Sequence, residues 1–447
     1  MKTPLSLLLF FISIAAFSQF KLTPKQDSIR AEINKKTQID YQTMLHQLNI
    51  KEVRHGANGN DPNAENAANY DEEKANPFTN YPNPLLFNDG EAVKTANDWN
   101  KRRLEIIEDF EREIYGRLPE NIPSVTWEVV EEYQEDKEGI PVTTKKLIGR
   151  VDNSLYPEVT VEMDLTVSVP SNIKKPVPLM LMFGFSFPDW FPKNAFPPRK
   201  KQWHIDLLKQ GWGYAEITTG SIQPDNGAGL TKGIIGLVNK GKHRTPEQWG
   251  ALRAWAWGAS KALDYFETNP AIDANKVGIT GHSRNGKAAL VTLAFDERFA
   301  IGFISSSGAG GASLFRRNYG EIVENVAGSG EYHWMAGNFI KYASILNWDD
   351  LPVDAHELVA LCAPRPIFIS SGNKGDNWVD PKGMFLAGVK ASPVYELLGK
   401  KGMQTNKFPP VETPLINGDI AYRQHNQGHV QAPNWETFIE FAKRYFD

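Results

Sequence analysis

The hydrophobic positions change rhythm along the chain. From about residue 123 to 170, apolar and polar residues alternate in runs such as TTKKLIGRV and VTVEMDLTVSVP. A period of two marks antiparallel strands with one solvated face. Beyond residue 175 the runs become continuously apolar: PVPLMLMFGF, GWGYAEI, KVGITGHS, FAIGFISSSGAGG and RPIFISSGN. Strands of that kind are buried on both faces, which implies a parallel sheet. Helical spacing separates them in WHIDLLKQ, in TPEQWGALRAWAWGASKALDYFETN with a start at Thr245 or Pro246, in KAALVTLAFD and in the C-terminal NWETFIEFAKRYF. The alternation predicts a doubly wound α/β sheet, with no internal repeat.

Upstream, TANDWNKRRLEIIEDFEREIYGRLP reads as one helix capped by Thr95 or Asn97 and ended by Gly116 and Pro119. Trp99, Leu104, Ile107, Phe110 and Ile114 recur there at helical spacing. Residues 20 to about 80 are polar and weakly patterned, which predicts a loop-like arm with no core of its own. The first residues, MKTPLSLLLFFISIAAFSQ, have the layout of a secretory signal peptide, with cleavage expected after Ser18. The expected division is therefore a signal peptide over 1–18, a largely irregular N-terminal arm over 19–95 and a catalytic domain over 96–447. Export to the periplasm or the medium is expected. No cysteine stands near the cleavage site, so no lipoprotein anchor is expected, and no later apolar run reaches membrane-spanning length.

Composition narrows the function classes. The 447 residues are 41% hydrophobic and 23% charged, with a net charge of −4, which offers no basic groove for nucleic acid. The single cysteine, Cys362, cannot form an internal disulfide and is expected to be a buried small hydrophobe. No His, Cys and carboxylate set has metal spacing: HNQGH pairs two histidines in a loop without a third ligand. GAGG at 308–311 lacks the lysine and hydroxyl of a phosphate loop. No metal or cofactor is expected.

The chemistry concentrates in Gly281-His282-Ser283-Arg284-Asn285-Gly286-Lys287, where a strand turns into a helix. A nucleophile elbow needs that geometry, although the second glycine lies one residue late for G-x-S-x-G. Ser283 is a nucleophile or a helix N-cap on this motif alone. In α/β hydrolases the order is Ser, acid, His. Asp376 and Asp380 follow the strand RPIFISSGN, and His425 and His429 precede the last helix. A seryl hydroxyl needs a base, and the base needs an orienting carboxylate. His356 reads as a helix-capping or core residue, His333 and Trp334 as packing residues, and His282 has no evident task.

The serine motif resembles the G-x-S-R-x-G-K of the glucuronoyl esterases, which act on 4-O-methyl-glucuronate esters (4-O-methyl-glucuronoyl methylesterases). The runs NYDEEKANPF, WNKRRLEIIEDFEREIYGRLP, GAGGASLFRRNYGE, YHWMAGNF, DAHELVALCAPRP and GDNWVDPKGMFLA are similar to bacterial members, over about residues 68–447. The resemblance implies an α/β-hydrolase fold, a three-layer αβα sandwich with a mostly parallel sheet. It implies Ser283 as nucleophile, His429 as base and Arg284 facing the oxyanion. It implies Lys287 and Glu321 as partners of sugar hydroxyls and Trp378 as a wall of the sugar pocket. Many members carry the acid where this chain has Ser306, so the acid is expected at Asp376, with Asp380 as the fallback. The implied substrate is a glucuronoxylan or lignin–carbohydrate ester, acted on by a monomer. Alternatives are an acetyl-xylan or feruloyl esterase of the same fold, or a non-catalytic carbohydrate-binding relative. The aromatic, proline-rich stretch Phe185 to Lys201 is expected to border the substrate or to fold on itself as a cover.

Overall fold

A computed structural model describes residues 22–185, 190–191 and 201–447. The expected signal peptide and most of the 185–201 stretch lie outside the described residues. Among the described residues the strands are β1 (Val125–Lys137), β2 (Ile140–Val151), β3 (Glu162–Pro170), β4 (Val177–Gly184), β5 (Gly213–Thr218), β6 (Ile272–His282), β7 (Ile301–Ser305), β8 (Ile367–Gly372) and β9 (Ile420–His425). They form one sheet in the order β1-β2-β3-β5-β4-β6-β7-β8-β9. β1, β2, β3 and β5 pair antiparallel, whereas β5, β4, β6, β7, β8 and β9 run parallel. The two rhythms of the sequence are thus the two halves of one α/β-hydrolase sheet. β4 leads outward to β5, and β6 returns to the other side of β4. That reversal creates a crevice at the C-terminal ends of β4 and β6, where open α/β sheets bind ligands.

Helices cover both faces. Trp203, Leu207 and Leu208 of the helix Gln202–Lys209 share a core with Phe303 of β7, Phe368 of β8 and Phe438 of the C-terminal helix Trp435–Phe446. On the other face Ala251–Thr268 and Arg284–Phe295, here called the elbow helix, pack into the larger core with the inner residues of β4 and β6. Cys362 is buried and free. No described helix is long and apolar enough to cross a membrane.

Three expectations need correction. The arm is not largely irregular throughout: Pro24–Gln47 is a helix of 24 residues. Thr23 and Gln26 cap it reciprocally, and Pro24 suits its first turn. Its buried residues Asp40, Tyr41, Met44 and Leu45 lie in its last two turns, so most of the helix reads as polar. The long helix begins at Ala251 rather than Thr245, because the buried Arg244 guanidinium donates to the carbonyls of Trp249, Met335 and Tyr332 and pins the intervening turn. Thr95 does cap the helix Ala96–Asp109, which continues in a wider π-type coil over Phe110–Tyr115 to Gly116. Leu104, however, is 64% exposed, and Ile106 takes its expected place in the core.

Candidate active site

Ser283 sits at the crest of the turn between β6 and the elbow helix, at φ 59° and ψ −131°. A serine at positive φ is strained, and the surroundings impose the strain. A Cβ on Gly281 would lie 2.0 Å from the Asn285 carbonyl oxygen, and one on Gly286 would lie 2.7 Å from that of Ser305. The first contact is the strand meeting the helix; the second is the helix meeting β7. The displaced glycine therefore marks where the elbow helix crosses its neighbouring strand. The Ser283 N–H is spent on the Ser305 carbonyl at 2.9 Å. Gly286 and Lys287 donate their N–H groups to the Ser283 carbonyl at 2.8 and 3.1 Å, which leaves those of Arg284 and Asn285 to open the elbow helix, as at a helix N-terminus.

His429 and Asp376 meet beside this turn. His429 Nδ1 bonds Asp376 Oδ1 at 2.6 Å, and its ring centroid lies 4.3 Å from that of His282. Asp376 is almost fully buried. Its Oδ2 accepts from the Gly372 N–H at 2.6 Å and the Ser306 hydroxyl at 2.7 Å. Burial pushes its pKa up, but the hydrogen bond and charge of His429, with these two donors, outweigh that and hold it below the ordinary carboxyl value. Ser306 thus serves Asp376 as a hydrogen-bond donor. Asp380 belongs elsewhere: it caps the helix Pro381–Leu397 and pairs with Arg317 at 2.7 Å. His425 bonds the Val430 carbonyl at 2.8 Å and His356 that of Pro82 at 2.7 Å; neither meets Asp376. His282 bridges Ser305 Oγ at 3.1 Å and the His429 carbonyl at 3.3 Å, and burial and the neighbouring His429 push its pKa down to about 3, which keeps it neutral.

A charged cluster flanks the serine on its other side. Arg284 pairs with Asp225 at 2.6 Å, and Lys287 with Glu321 at 2.6 Å. Lys287 also donates to the Ala309 carbonyl, and Glu321 Oε2 accepts the Ala309 N–H at 2.9 Å. Both cations lie over the Trp334 ring, with Arg284 Cζ at 5.4 Å and Lys287 Nζ at 5.6 Å from its centroid. Trp334 and His333 do more than pack: Trp334 Nε1 at 2.6 Å and His333 Nε2 at 2.9 Å meet Asp225 Oδ1. Burial raises the Asp225 pKa, but Arg284, His333 and Trp334 together hold it well below the ordinary range. Glu331 joins the cluster with Oε2 sealed from solvent and without a hydrogen-bond partner. Burial, then Glu321, push its pKa up to about 8. Trp378 lies in the short turn Asn377–Val379, and its carbonyl accepts the Glu321 N–H at 2.8 Å. Among the described residues no group of three or more His, Cys, Asp or Glu converges as a metal site.

The arrangement is a serine at a strand–helix elbow, a buried carboxylate–imidazole pair and two aromatic-backed cations, and its parallels among known proteins are specific. A solved CE15 glucuronoyl esterase from Teredinibacter turnerae is 44% identical, covers 92% of this chain and 100% of its own, and superposes with a TM-score of 0.87. This chain belongs to the glucuronoyl esterases. It is a carboxylic ester hydrolase of that family. A carbohydrate esterase, MZ0003, from an unknown prokaryotic organism is 35% identical over 84% of this chain and 92% of its own. A 4-O-methyl-glucuronoyl methylesterase from Phanerochaete carnosa is 30% identical over 71% of this chain and 72% of its own. The family described as fungal glucuronyl esterase matches residues 242–399. Within this esterase the sequence pattern missed Asp225, Glu331 and the polar role of His333 and Trp334. A lone aspartate in SIQPDNG carries no local signal, since its partners come from positions 284, 333 and 334.

Proposed function

We propose that this esterase hydrolyses the ester joining 4-O-methyl-glucuronate on glucuronoxylan to an alcohol, as in lignin–carbohydrate esters. The observation that carries the reading is the pair of cations, Arg284 and Lys287, one helical turn apart beside Ser283. Ser283 Oγ attacks the uronate carbonyl carbon as His429 Nε2 takes its proton; Nδ1 is held by Asp376. The alcohol leaves with that proton. Water, deprotonated by the same imidazole, then opens the glucuronoyl-serine ester, and the serine regains its proton. Arg284 and the opening N–H groups of the elbow helix stabilise the oxyanion, each donor typically worth about 10²–10³ in rate. Lys287 has one donor left after Glu321 and Ala309, and Glu321 keeps Oε1 for a hydroxyl. The Trp378 indole walls the same ring.

An acetyl ester needs none of this charged lining, which disfavours the acetyl-xylan reading. Such a substrate lies outside the cell, in keeping with the leader expected over residues 1–18. The test compares benzyl glucuronate with acetylated xylan. Turnover of the former, abolished in Ser283→Ala with oligosaccharide binding kept, is the expected result. Turnover of acetylated xylan alone would overturn the substrate assignment.

A further inference from the structure

The N-terminal segment touches both halves of the active site. Its helix Pro24–Gln47 meets the two loops that hold Asp225. Asp40, 3% exposed, accepts the Tyr332 hydroxyl on Oδ2 at 2.6 Å, and its Oδ1 meets His243 Nδ1 at 2.5 Å. The Tyr332 and Tyr41 rings lie 4.7 Å apart, and Thr37 Oγ1 accepts the Ala228 N–H at 3.1 Å. Tyr332 directly precedes His333 and Trp334, the two donors that fix Asp225 against Arg284. A tilt at Tyr332 is therefore passed to the counterion of the arginine.

The rest of the segment is sewn to the other half. Ala57 donates to and accepts from the Asn325 side chain at 3.0 and 2.9 Å, and Arg54 pairs with Glu324 at 3.0 Å. Asn69 accepts the Gly320 N–H at 3.0 Å, Ala75 accepts that of Asn318 at 2.8 Å, and Glu72 pairs with Arg317 at 3.0 Å. These contacts clamp residues 317–325, which carry Glu321. Between them Gly59 lies against Trp378: a Cβ there would come within 2.6 Å of indole Cε3 and 2.7 Å of Cζ3. Only a bare backbone fits beside that ring edge.

We infer that the N-terminal segment is a positioning element with two separable outputs: Asp40 sets Arg284 through Tyr332, and Gly59 sets Trp378. The inference rests on the roles given above to Arg284 and Trp378. A misplaced catalytic group, even one displaced from afar, can cost about a hundredfold in rate, so Asp40→Ala is expected to lower kcat by about ten- to a hundredfold with KM nearly unchanged. Asp40→Asn, whose amide oxygen still accepts the tyrosine hydroxyl, is expected to restore most of it. Tyr332→Phe is expected to reproduce the loss, and the double variant Asp40→Ala/Tyr332→Phe to lose no more than either alone. Tyr332→Phe and Asp40→Asn carry this arm of the test if Asp40→Ala does not fold. Gly59→Ala is expected to raise KM by about fivefold or more at nearly constant kcat.

The measurement is steady-state hydrolysis of benzyl glucuronate by the full chain, with Tm recorded for every variant. Lowered Tm with kcat and KM unchanged would mean a purely structural segment and overturn the inference. If Arg284→Ala and Trp378→Ala also left kcat and KM unchanged, the site reading itself would fail. If those two changed the kinetics and the Asp40, Tyr332 and Gly59 variants did not, only the positioning role would fail.

Discussion

Asp376→Asn tests the proposed triad of Ser283, His429 and Asp376 at its least familiar member. Asp376 receives three donors: His429 on Oδ1, and Gly372 and Ser306 on Oδ2. An asparagine satisfies the last two only by placing its carbonyl oxygen at the Oδ2 position. Its NH₂ then faces His429 Nδ1. That nitrogen must become an acceptor, and the ring proton moves to Nε2, where Ser283 needs a lone pair. The fold survives, because Gly372 and Ser306 keep their acceptor. The base is lost, and so is the charge that steadies the imidazolium. A wrong tautomer of this kind costs about 10⁴ in kcat, or about 5 kcal/mol of barrier at about 1.36 kcal/mol per tenfold. Asp380→Asn is the counterpart. It breaks the buried pair with Arg317 and is expected to cost about 3–5 kcal/mol of stability, while the folded fraction keeps its turnover. The assay is kcat on benzyl glucuronate beside thermal unfolding of both variants. Asp376→Asn within about tenfold of the parent kcat would refute the assignment, as would Asp380→Asn silencing a folded enzyme.

Three further outcomes follow from the geometry. Arg284→Ala is expected to lower kcat by about 10²–10³, read against Lys287→Ala, which is expected to act chiefly on KM. Gly286→Ala pushes a methyl onto the Ser305 carbonyl at 2.7 Å and is expected to destabilise the fold by about 1–3 kcal/mol, seen as a lower Tm. Glu331 is protonated in the folded state up to about pH 8, against an ordinary 4.5, so the folded protein holds a proton that the unfolded chain has released. Its contribution to stability is complete below 4.5 and is lost as pH rises through about 8. Glu331→Gln is therefore expected to gain Tm relative to the parent between pH 5 and about 8.5, with little difference at the acid end.

The sheet was legible because its strands are written in two clear patterns, alternating over 143–170 and continuously apolar from 177. β9 escaped because IAYRQH mixes Arg, Gln and His into a strand that is buried at most positions. Arg423 meets Pro433 and Asn434, and Gln424 reaches the Gly372 carbonyl, so polar partners make the burial possible. The pairing of His429 with Asp376 was legible from motif and chain order. Asp225, Glu331 and the arm's contacts were not, because each depends on residues far along the chain. Asp40 and Tyr332, for example, are separated by 292 positions. The arm helix was hidden for a related reason: it buries one patch at its end and leaves the rest to water.

Trp334 has a consequence for altering this enzyme. One indole supports both the Arg284 guanidinium, proposed above for the oxyanion, and the Lys287 ammonium, proposed above for the ring hydroxyls. On those proposed roles, rate and recognition share a single foundation. A library aimed at a new acyl group cannot vary position 334 for fit alone, since every change there also disturbs the support of Arg284 and of its partner Asp225. Position 321 is tied to that foundation through Lys287, whereas Trp378 stands off it, so position 378 is the place where selectivity can be redrawn with least effect on the two cations.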